Sequence, residues 1–156
     1  MDERRQHTRV KVGFDEIGQA IERECRKHGV EAPDFPPEST LWEYFHRKDC
    51  DYWSRDDRLL TPVLIFDQFE EIFTLGRENP ERRNRCDELL AQLGDLVENR
   101  QPQTLRTKLE TDPELATQYD PRKAVPKILL SFREYYLADF DILYDYLRAR
   151  TSNRMR

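Results

Sequence analysis

The residues best suited to chemistry follow the apolar run Val63–Phe66, which ends in Asp67 and is followed closely by Glu70 and Glu71. An uninterrupted run of this kind predicts a buried strand, so we expect Asp67 at its carboxyl tip, where open α/β sheets bind ligands. A carboxylate there can hold Mg²⁺ beside the phosphates of a nucleotide, and the two glutamates can orient a water molecule or act as a base. The simpler alternative is a strand that ends in a helix-capping aspartate, followed by an acidic, solvated helix start.

A second apolar run, residues 128–132, is followed by Arg133. If the two strands are parallel neighbours, Arg133 lies at the same sheet edge as Asp67, and its guanidinium can contact a γ-phosphate. The alternative is an ordinary ion pair with Glu134 or with an aspartate on a helix face.

Amphipathic segments must position these two strands. Helical spacing predicts a helix from Asp15 to a stop at Gly29, a short helix opened by a capping box of Thr40 and Glu43, and helices over 80–100 and about 135–148. Residues 8–12 (T-R-V-K-V) weakly predict a third strand. Short apolar strands that alternate with amphipathic helices predict an α/β fold, with two or three mostly parallel strands and helices packed on their faces.

Composition excludes several classes of protein. The 26 basic and 31 acidic residues give a net charge of −5, which argues against a general nucleic-acid binder. No apolar run approaches the roughly 18 residues that a membrane helix needs, and the charged start of the chain has no hydrophobic stretch of a secretory signal. Three widely spaced cysteines predict neither a disulfide framework nor a metal site. We therefore expect a protein of the reducing cytoplasm that binds neither nucleic acid nor membrane.

Five aromatic residues lie close together in the sequence and allow two interpretations. They can form a patch that binds a partner, or they can be core residues, which is the more common role of aromatics at helical spacing. The five are Trp42, Tyr44, Phe45, Tyr52 and Trp53.

Taken together, the two motifs resemble a known family. D-Q-F-E-E-I-F-T-L at Asp67–Leu75 is similar to the Walker B segment of the novel-STAND group of signal-transduction NTPases, which are P-loop NTPases. L-S-F-R-E-Y-Y-L at Leu130–Leu137 resembles the sensor 1 segment of that group, and L-W-E-Y-F-H at Leu41–His46 resembles the stretch before its Walker B strand. The resemblance covers roughly residues 15–156.

The resemblance implies a role for each candidate residue. Asp67 would be the Mg²⁺-associated Walker B aspartate, Glu70 and Glu71 would be acidic catalytic positions near the attacking water, and Arg133 would sense the γ-phosphate. The implied cofactors are Mg²⁺ and ATP or GTP. Members of the family hydrolyse nucleoside triphosphates and act as switches that rearrange neighbouring protein domains or repeats. The resemblance also implies the fold of the family, a three-layer P-loop NTPase core.

The sequence departs from the family because it contains no G-x-x-x-x-G-K-[ST] phosphate loop. The nearest spacing match, residues 13–20 (G-F-D-E-I-G-Q-A), lacks the lysine and the hydroxyl. We therefore expect a single incomplete NTPase domain over 1–156 that is inactive alone and binds nucleotide poorly. Its parts would be a helical lead-in (1–61), the Walker B strand and helices (62–100), a mostly polar surface connection (101–126), and the sensor 1 strand and helix (127–156).

Two other functions remain open at this stage. The chain can be a non-enzymatic protein-interaction module that pairs with a partner supplying missing strands, as expected of a small sheet with exposed edges. It can also be a metal-dependent hydrolase that uses Asp67, Glu70 and Glu71 as ligands, although no second cluster of ligands accompanies them.

Overall fold

The computed structural model describes residues 14–136 and Tyr144. Along this part of the chain the helices are α1 (Phe14–His28), α2 (Leu41–His46), α3 (Glu71–Glu78), α4 (Pro80–Val97) and α5 (Gln103–Thr111), with 3₁₀ turns at Pro113–Gln118 and Glu134–Tyr136. The strands are β1 (Tyr52–Trp53), β2 (Leu59–Leu60), β3 (Val63–Phe66) and β4 (Lys127–Leu130). The fold is mixed α/β, as predicted.

Strands β3 and β4 pair in parallel, with Val63 opposite Lys127 and Phe66 opposite Leu130. The prediction that these two apolar runs are parallel neighbours is therefore confirmed. The 60 residues between them run through α3, α4 and α5, as a parallel connection requires a long crossover. The pair forms a two-stranded sheet, so the described fold contains the parallel strands without a larger sheet around them.

The prediction that these strands are buried on both faces is wrong. Leu64 and its neighbours on the inner face join the core, but Val63, Ile65 and Leu129 on the outer face are 52%, 65% and 54% exposed. Side chains of successive strand residues point to opposite faces, and none of the described elements covers the outer one. Within residues 14–136, an aliphatic face of the sheet is therefore open.

A hairpin that the sequence did not predict precedes this sheet. Strands β1 and β2 pair antiparallel, with Tyr52 opposite Leu60, and Asp57 in the turn between them has a φ of 54°. Strands of two residues are too short to show an alternating pattern, which explains why the hairpin gave no signal.

Helix α2 is the centre of the core, since all six of its residues are buried. The predicted capping box is confirmed: Glu43 Oε2 accepts hydrogen bonds from the Thr40 N–H and hydroxyl, while the Glu43 N–H donates to Thr40 Oγ1. Lys108 of α5 donates to the other oxygen of Glu43 at 3.2 Å. A buried carboxylate is thereby paired on both oxygens, as burial of a charge requires.

The aromatic cluster is core rather than surface for four of its five members. Trp42, Tyr44, Phe45 and Tyr52 are buried, whereas Trp53 is 40% exposed. The Tyr52 hydroxyl donates to that of Tyr44, which donates in turn to the Pro33 carbonyl. Burial raises the pKa of both tyrosines, so both remain neutral donors.

Helix α4 packs against α2 and α3 and ends in a Schellman motif. The Arg100 N–H donates to the Asp95 carbonyl and the Asn99 N–H to that of Leu96, with Asn99 at a φ of 49°. The Asn99 side chain accepts from Trp42 Nε1 at 3.1 Å and donates to the Pro121 carbonyl at 2.9 Å. One residue therefore ends α4 and ties it to α2 and to the loop before β4.

Helix α1 ends at Gly29, as predicted, with Gly29 at a φ of 63°. Its first residue is Phe14, so residues 14–20 are helical. The G-x-x-x-x-G spacing at residues 13–20 is therefore not a phosphate-binding loop. Gly18 instead allows close packing, because a Cβ at this position would lie 2.5 Å from the ring of Phe35.

We expect Gly18→Ala to lower the free energy of unfolding by about 1 kcal/mol. Crowding the Phe35 ring costs roughly 1–3 kcal/mol, and the better helix propensity of alanine returns up to about 1 kcal/mol. Chemical denaturation of the variant against the parent chain measures the difference. Gln19→Ala is the control, since Gln19 is exposed on the same helix and should shift stability by less than about 0.5 kcal/mol. Stabilisation by Gly18→Ala would contradict the packing role.

The remaining predictions concern the connection 101–126 and the two ends of the chain. The connection 101–126 is mostly exposed, as predicted, and contains α5. The weak strand at 8–12 and most of the helix at 135–148 lie outside the described residues; Tyr144, predicted to face inward, is 54% exposed. Over the described part of the chain, no helix combines the length and apolar character needed to cross a membrane.

Candidate functional site

The carboxyl ends of β3 and β4 place the predicted site residues at one edge of the sheet. The segments that follow the strands are joined by two backbone hydrogen bonds, from the Ser131 N–H to the Phe66 carbonyl at 2.9 Å and from the Phe69 N–H to the Ser131 carbonyl at 2.8 Å. Asp67 and Arg133 follow directly from these segments. Because the strands are parallel neighbours, both residues lie at the same edge of the sheet.

Asp67 lies at a sharp turn on the protein surface. Its Oδ1 accepts a hydrogen bond from the Gln68 N–H at 3.0 Å, and Gln68 adopts a φ of 56°. A non-glycine residue in the left-handed region costs about 1–2 kcal/mol and occurs preferentially near functional sites. The turn directs the next side chain, Phe69, into the core and leaves the Asp67 carboxylate exposed to solvent.

Glu70 differs from its neighbour in both burial and partner. It is 4% exposed, and its Oε1 lies 3.2 Å from Nε of Arg133. Its Oε2 is buried and has no hydrogen-bond partner. Within residues 14–136, Arg133 therefore pairs with Glu70 rather than with Glu134 or a helix aspartate, the partners expected from the sequence. Its side chain is 76% exposed and so remains accessible from solvent.

Glu71 is exposed at the first residue of α3. The resemblance implies acidic catalytic positions at both Glu70 and Glu71, but their surroundings in the structure are different. Glu70 is buried in an ion pair, whereas Glu71 faces water. The two carboxylates therefore cannot perform the same step.

The donor set at this edge suits a hydrated magnesium ion better than a fully protein-ligated metal. Across residues 14–136 and Tyr144, no group of three or more His, Cys, Asp or Glu side chains is placed to hold a metal ion. Mg²⁺ commonly binds through one or two carboxylates and keeps several waters, which the exposed Asp67 permits. The hydrolase alternative, with Asp67, Glu70 and Glu71 as joint ligands, has no such joint ligand set in these residues.

Two features of the site were not found from the sequence. The left-handed Gln68 has no signal, because glutamine is not a residue type typical of that conformation. The Glu70–Arg133 pair joins residues 63 positions apart, and no local pattern specifies such a contact. The pairing of β3 and β4 brings Glu70 and Arg133 together.

We expect Arg133→Met to lower the free energy of unfolding by about 1 kcal/mol, because it leaves Glu70 buried without its cation. Because Arg133 is exposed, solvent screens its interaction with Glu70, and the loss of free energy stays small. In the Glu70→Gln background the same substitution should cost less, giving a coupling energy of about 1 kcal/mol in a double-mutant cycle. Arg122→Met is the matched control, since Arg122 makes a surface ion pair with Asp120 at 3.7 Å. Additive losses within about 0.3 kcal/mol would show that the pair contributes nothing.

No protein-family model matches the sequence, and neither a curated protein nor a solved structure matches it. The roles of Asp67, Glu70, Glu71 and Arg133 therefore rest on the resemblance of two motifs and on the geometry that joins them.

Proposed function

We propose that this chain carries the Walker B and sensor 1 half of a STAND-type nucleoside-triphosphate-binding switch. The observation that carries the proposal is the parallel pairing of β3 and β4. It brings Asp67 and Glu70 of one motif and Arg133 of the other to one sheet edge. Ligands in open α/β sheets bind at such edges.

Each residue has a role that its surroundings favour. Asp67 would hold a hydrated Mg²⁺, which when bound would neutralise phosphate oxygens of ATP or GTP. Glu71, exposed at the start of α3, is free to orient a water molecule. Among the described residues, Glu70 pairs with Arg133 through Nε, which leaves the terminal amino groups to contact a γ-phosphate. A phosphate that draws Arg133 away from Glu70 would alter a contact between the two strand ends, which is how the site would report nucleotide.

The sequence contains no phosphate loop, so we expect this chain to bind Mg-ATP more weakly than micromolar. Loop amides and the loop lysine supply most of the contacts to the phosphates in this class of site. Equilibrium binding of a fluorescent ATP analogue measures the affinity, and Asp67→Asn serves as the comparison. Micromolar affinity of the 156-residue chain that is lost in Asp67→Asn would contradict the expectation of weak binding.

The function itself is tested by supplying the loop. A polypeptide in which a G-x-x-x-x-G-K-[ST] segment is fused in frame before this chain should bind Mg-ATP at least tenfold more tightly than this chain. Asp67→Asn and Arg133→Ala should each weaken that binding. A longer polypeptide with the loop that binds no better than the chain alone would overturn the proposal.

The open aliphatic face of the sheet favours a second candidate function, a protein-interaction module without enzymatic activity. Val63, Ile65 and Leu129 form an exposed apolar surface of the kind that partners cover. Size-exclusion chromatography with light scattering tests whether the purified chain needs such a partner. A stable monomer that keeps its secondary structure on dilution would count against this function.

A further inference from the structure

A groove of about 920 Å³ runs between helix α1 and strand β3. One wall consists of the whole stretch 60–69, which includes β3 and the residues on either side of it. The opposite wall is contributed by α1 and includes Ile17, Ala20 and Ile21. Residues of β4 do not line the groove, so it follows the edge of β3 that faces away from β4.

The backbone of β3 presents hydrogen-bonding groups to this groove. The Pro62 carbonyl accepts from the Lys127 N–H at 3.1 Å, and the Phe66 carbonyl accepts from the Ser131 N–H. Even-numbered residues of β3 therefore direct their backbone groups toward β4. Because these groups alternate along a parallel strand, the N–H and C=O of Val63 and Ile65 point to the groove. An extended polypeptide would satisfy them.

The side chains of the groove favour aliphatic residues in its occupant. Ile17 and Ile21 lie on one wall and Leu60 on the other, and the exposed side chains of Val63 and Ile65 border the edge. Since successive side chains of a strand alternate, an occupant strand would pack every second residue against this aliphatic surface.

The charges around the groove are mostly negative. Glu16, Asp67 and Glu71 line it and make no ion pair with the described residues, while Arg23 is its one arginine or lysine in this part of the chain and is paired with Glu24. A second copy of the chain would bring the same acidic groups to the interface, and each copy has a net charge of −5. Charge complementarity therefore selects a basic occupant.

We propose that the edge of β3 left unpaired by residues 14–136 is a docking site for an extended segment of another polypeptide, with aliphatic residues at alternate positions and lysine or arginine between them. The segment adds to the sheet as a third strand, as in β-strand addition. The backbone groups of Val63 and Ile65 supply its hydrogen bonds, and Glu16, Asp67 and Glu71 supply its counter-charges. This docking goes beyond the switch function, and because Asp67 and Glu71 also belong to the proposed nucleotide site, a docked segment would compete there with Mg²⁺.

The test uses the full chain and a synthetic peptide of sequence Lys-Val-Lys-Val-Lys-Val. We expect saturable binding by NMR titration, with slower amide hydrogen exchange at Val63 and Ile65 in the complex. A peptide of sequence Glu-Val-Glu-Val-Glu-Val should bind at least tenfold more weakly. Glu16→Gln and Glu71→Gln should each reduce the affinity for the basic peptide about threefold, as expected for single exposed charges.

Ile65→Pro removes a groove-facing N–H without removing a bond to β4, since proline is tolerated at such an edge. It should abolish peptide binding while the circular dichroism spectrum stays unchanged. If Ile65→Pro does not fold, the two glutamate variants alone test the proposal.

Three results would each overturn the proposal: equal binding of both peptides or of neither, self-association of the chain through this edge, or slow exchange at Val63 and Ile65 in the free chain. The last result would mean that the chain fills its own groove, for which the alternating residues 8–12 are the candidate.

Discussion

Asn99→Ala is expected to lower the free energy of unfolding by about 3 kcal/mol. The substitution removes the acceptor of Trp42 Nε1 and the donor to the Pro121 carbonyl, and two such hydrogen bonds contribute about 1 kcal/mol each. It also forces a residue with no polar side chain into a φ of 49°, which adds about 1 kcal/mol. Urea denaturation followed by circular dichroism measures the loss.

Asn99→Gly is the matched control, because it removes the same two hydrogen bonds but relieves the left-handed backbone. We expect a loss of about 2 kcal/mol for glycine, and the difference between the two variants reports the backbone contribution. Equal losses for the two variants would show that the conformation of Asn99 contributes no strain. Losses below about 1 kcal/mol for both would show that the link to Trp42 and Pro121 is unimportant.

Acidification below about pH 6.5 is expected to destabilise the chain through His46. Burial lowers the pKa of His46, against the opposing influence of the Trp42 carbonyl, Asn99 and Asp120, while Lys123 acts in the same direction as burial. Nδ1 lies 2.8 Å from the Trp42 carbonyl and must donate to it, so the neutral ring leaves Nε2 as an unprotonated, unpartnered atom. Protonation of the native state would place a positive charge on a fully buried ring.

The direction follows from proton binding. Above about pH 6.5 His46 is neutral in both the native and the unfolded chain, so its titration does not reduce the free energy of unfolding. Below this value the unfolded chain takes up a proton that the native chain rejects, so stability falls by up to about 1.4 kcal/mol per pH unit until the lowered native pKa is reached.

His46→Asn isolates this effect, because its side-chain amide can still donate to the Trp42 carbonyl but does not titrate. The measurement is thermal unfolding from pH 8 to pH 5, and the parent chain should lose stability relative to the variant only below about pH 6.5. Parallel pH profiles would contradict the assignment to His46.

Local sequence patterns correctly predicted several helix starts and stops, which depend on a few neighbouring residues. The Thr40–Glu43 capping box, the stop at Gly29 and the start of α4 at Pro80 all depend on residues within one helical turn, and the structure confirms them. The end of α4 was placed three residues too late, because asparagine in a left-handed cap is a weaker signal than glycine.

Contacts between distant segments were only partly predictable. The parallel pairing of β3 and β4 followed from the motif order, and with it the common edge of Asp67 and Arg133. The partner of Arg133 did not, because an ion pair depends on side-chain positions that the sheet fixes only after it forms. The exposure of Val63 and Ile65 was missed for a similar reason, since an apolar run alone does not show what covers it.

Helix α2 has a consequence for synthesis of the chain. Isolated helices shorter than about 12–15 residues are marginal in water, so a six-residue helix has little stability before its neighbours pack around it. Its carboxylate Glu43 is paired with Lys108, 65 positions further along the chain. On the ribosome, the N-terminal half therefore cannot complete its own core, and Trp42 stays accessible to chaperones until α4 and α5 have emerged.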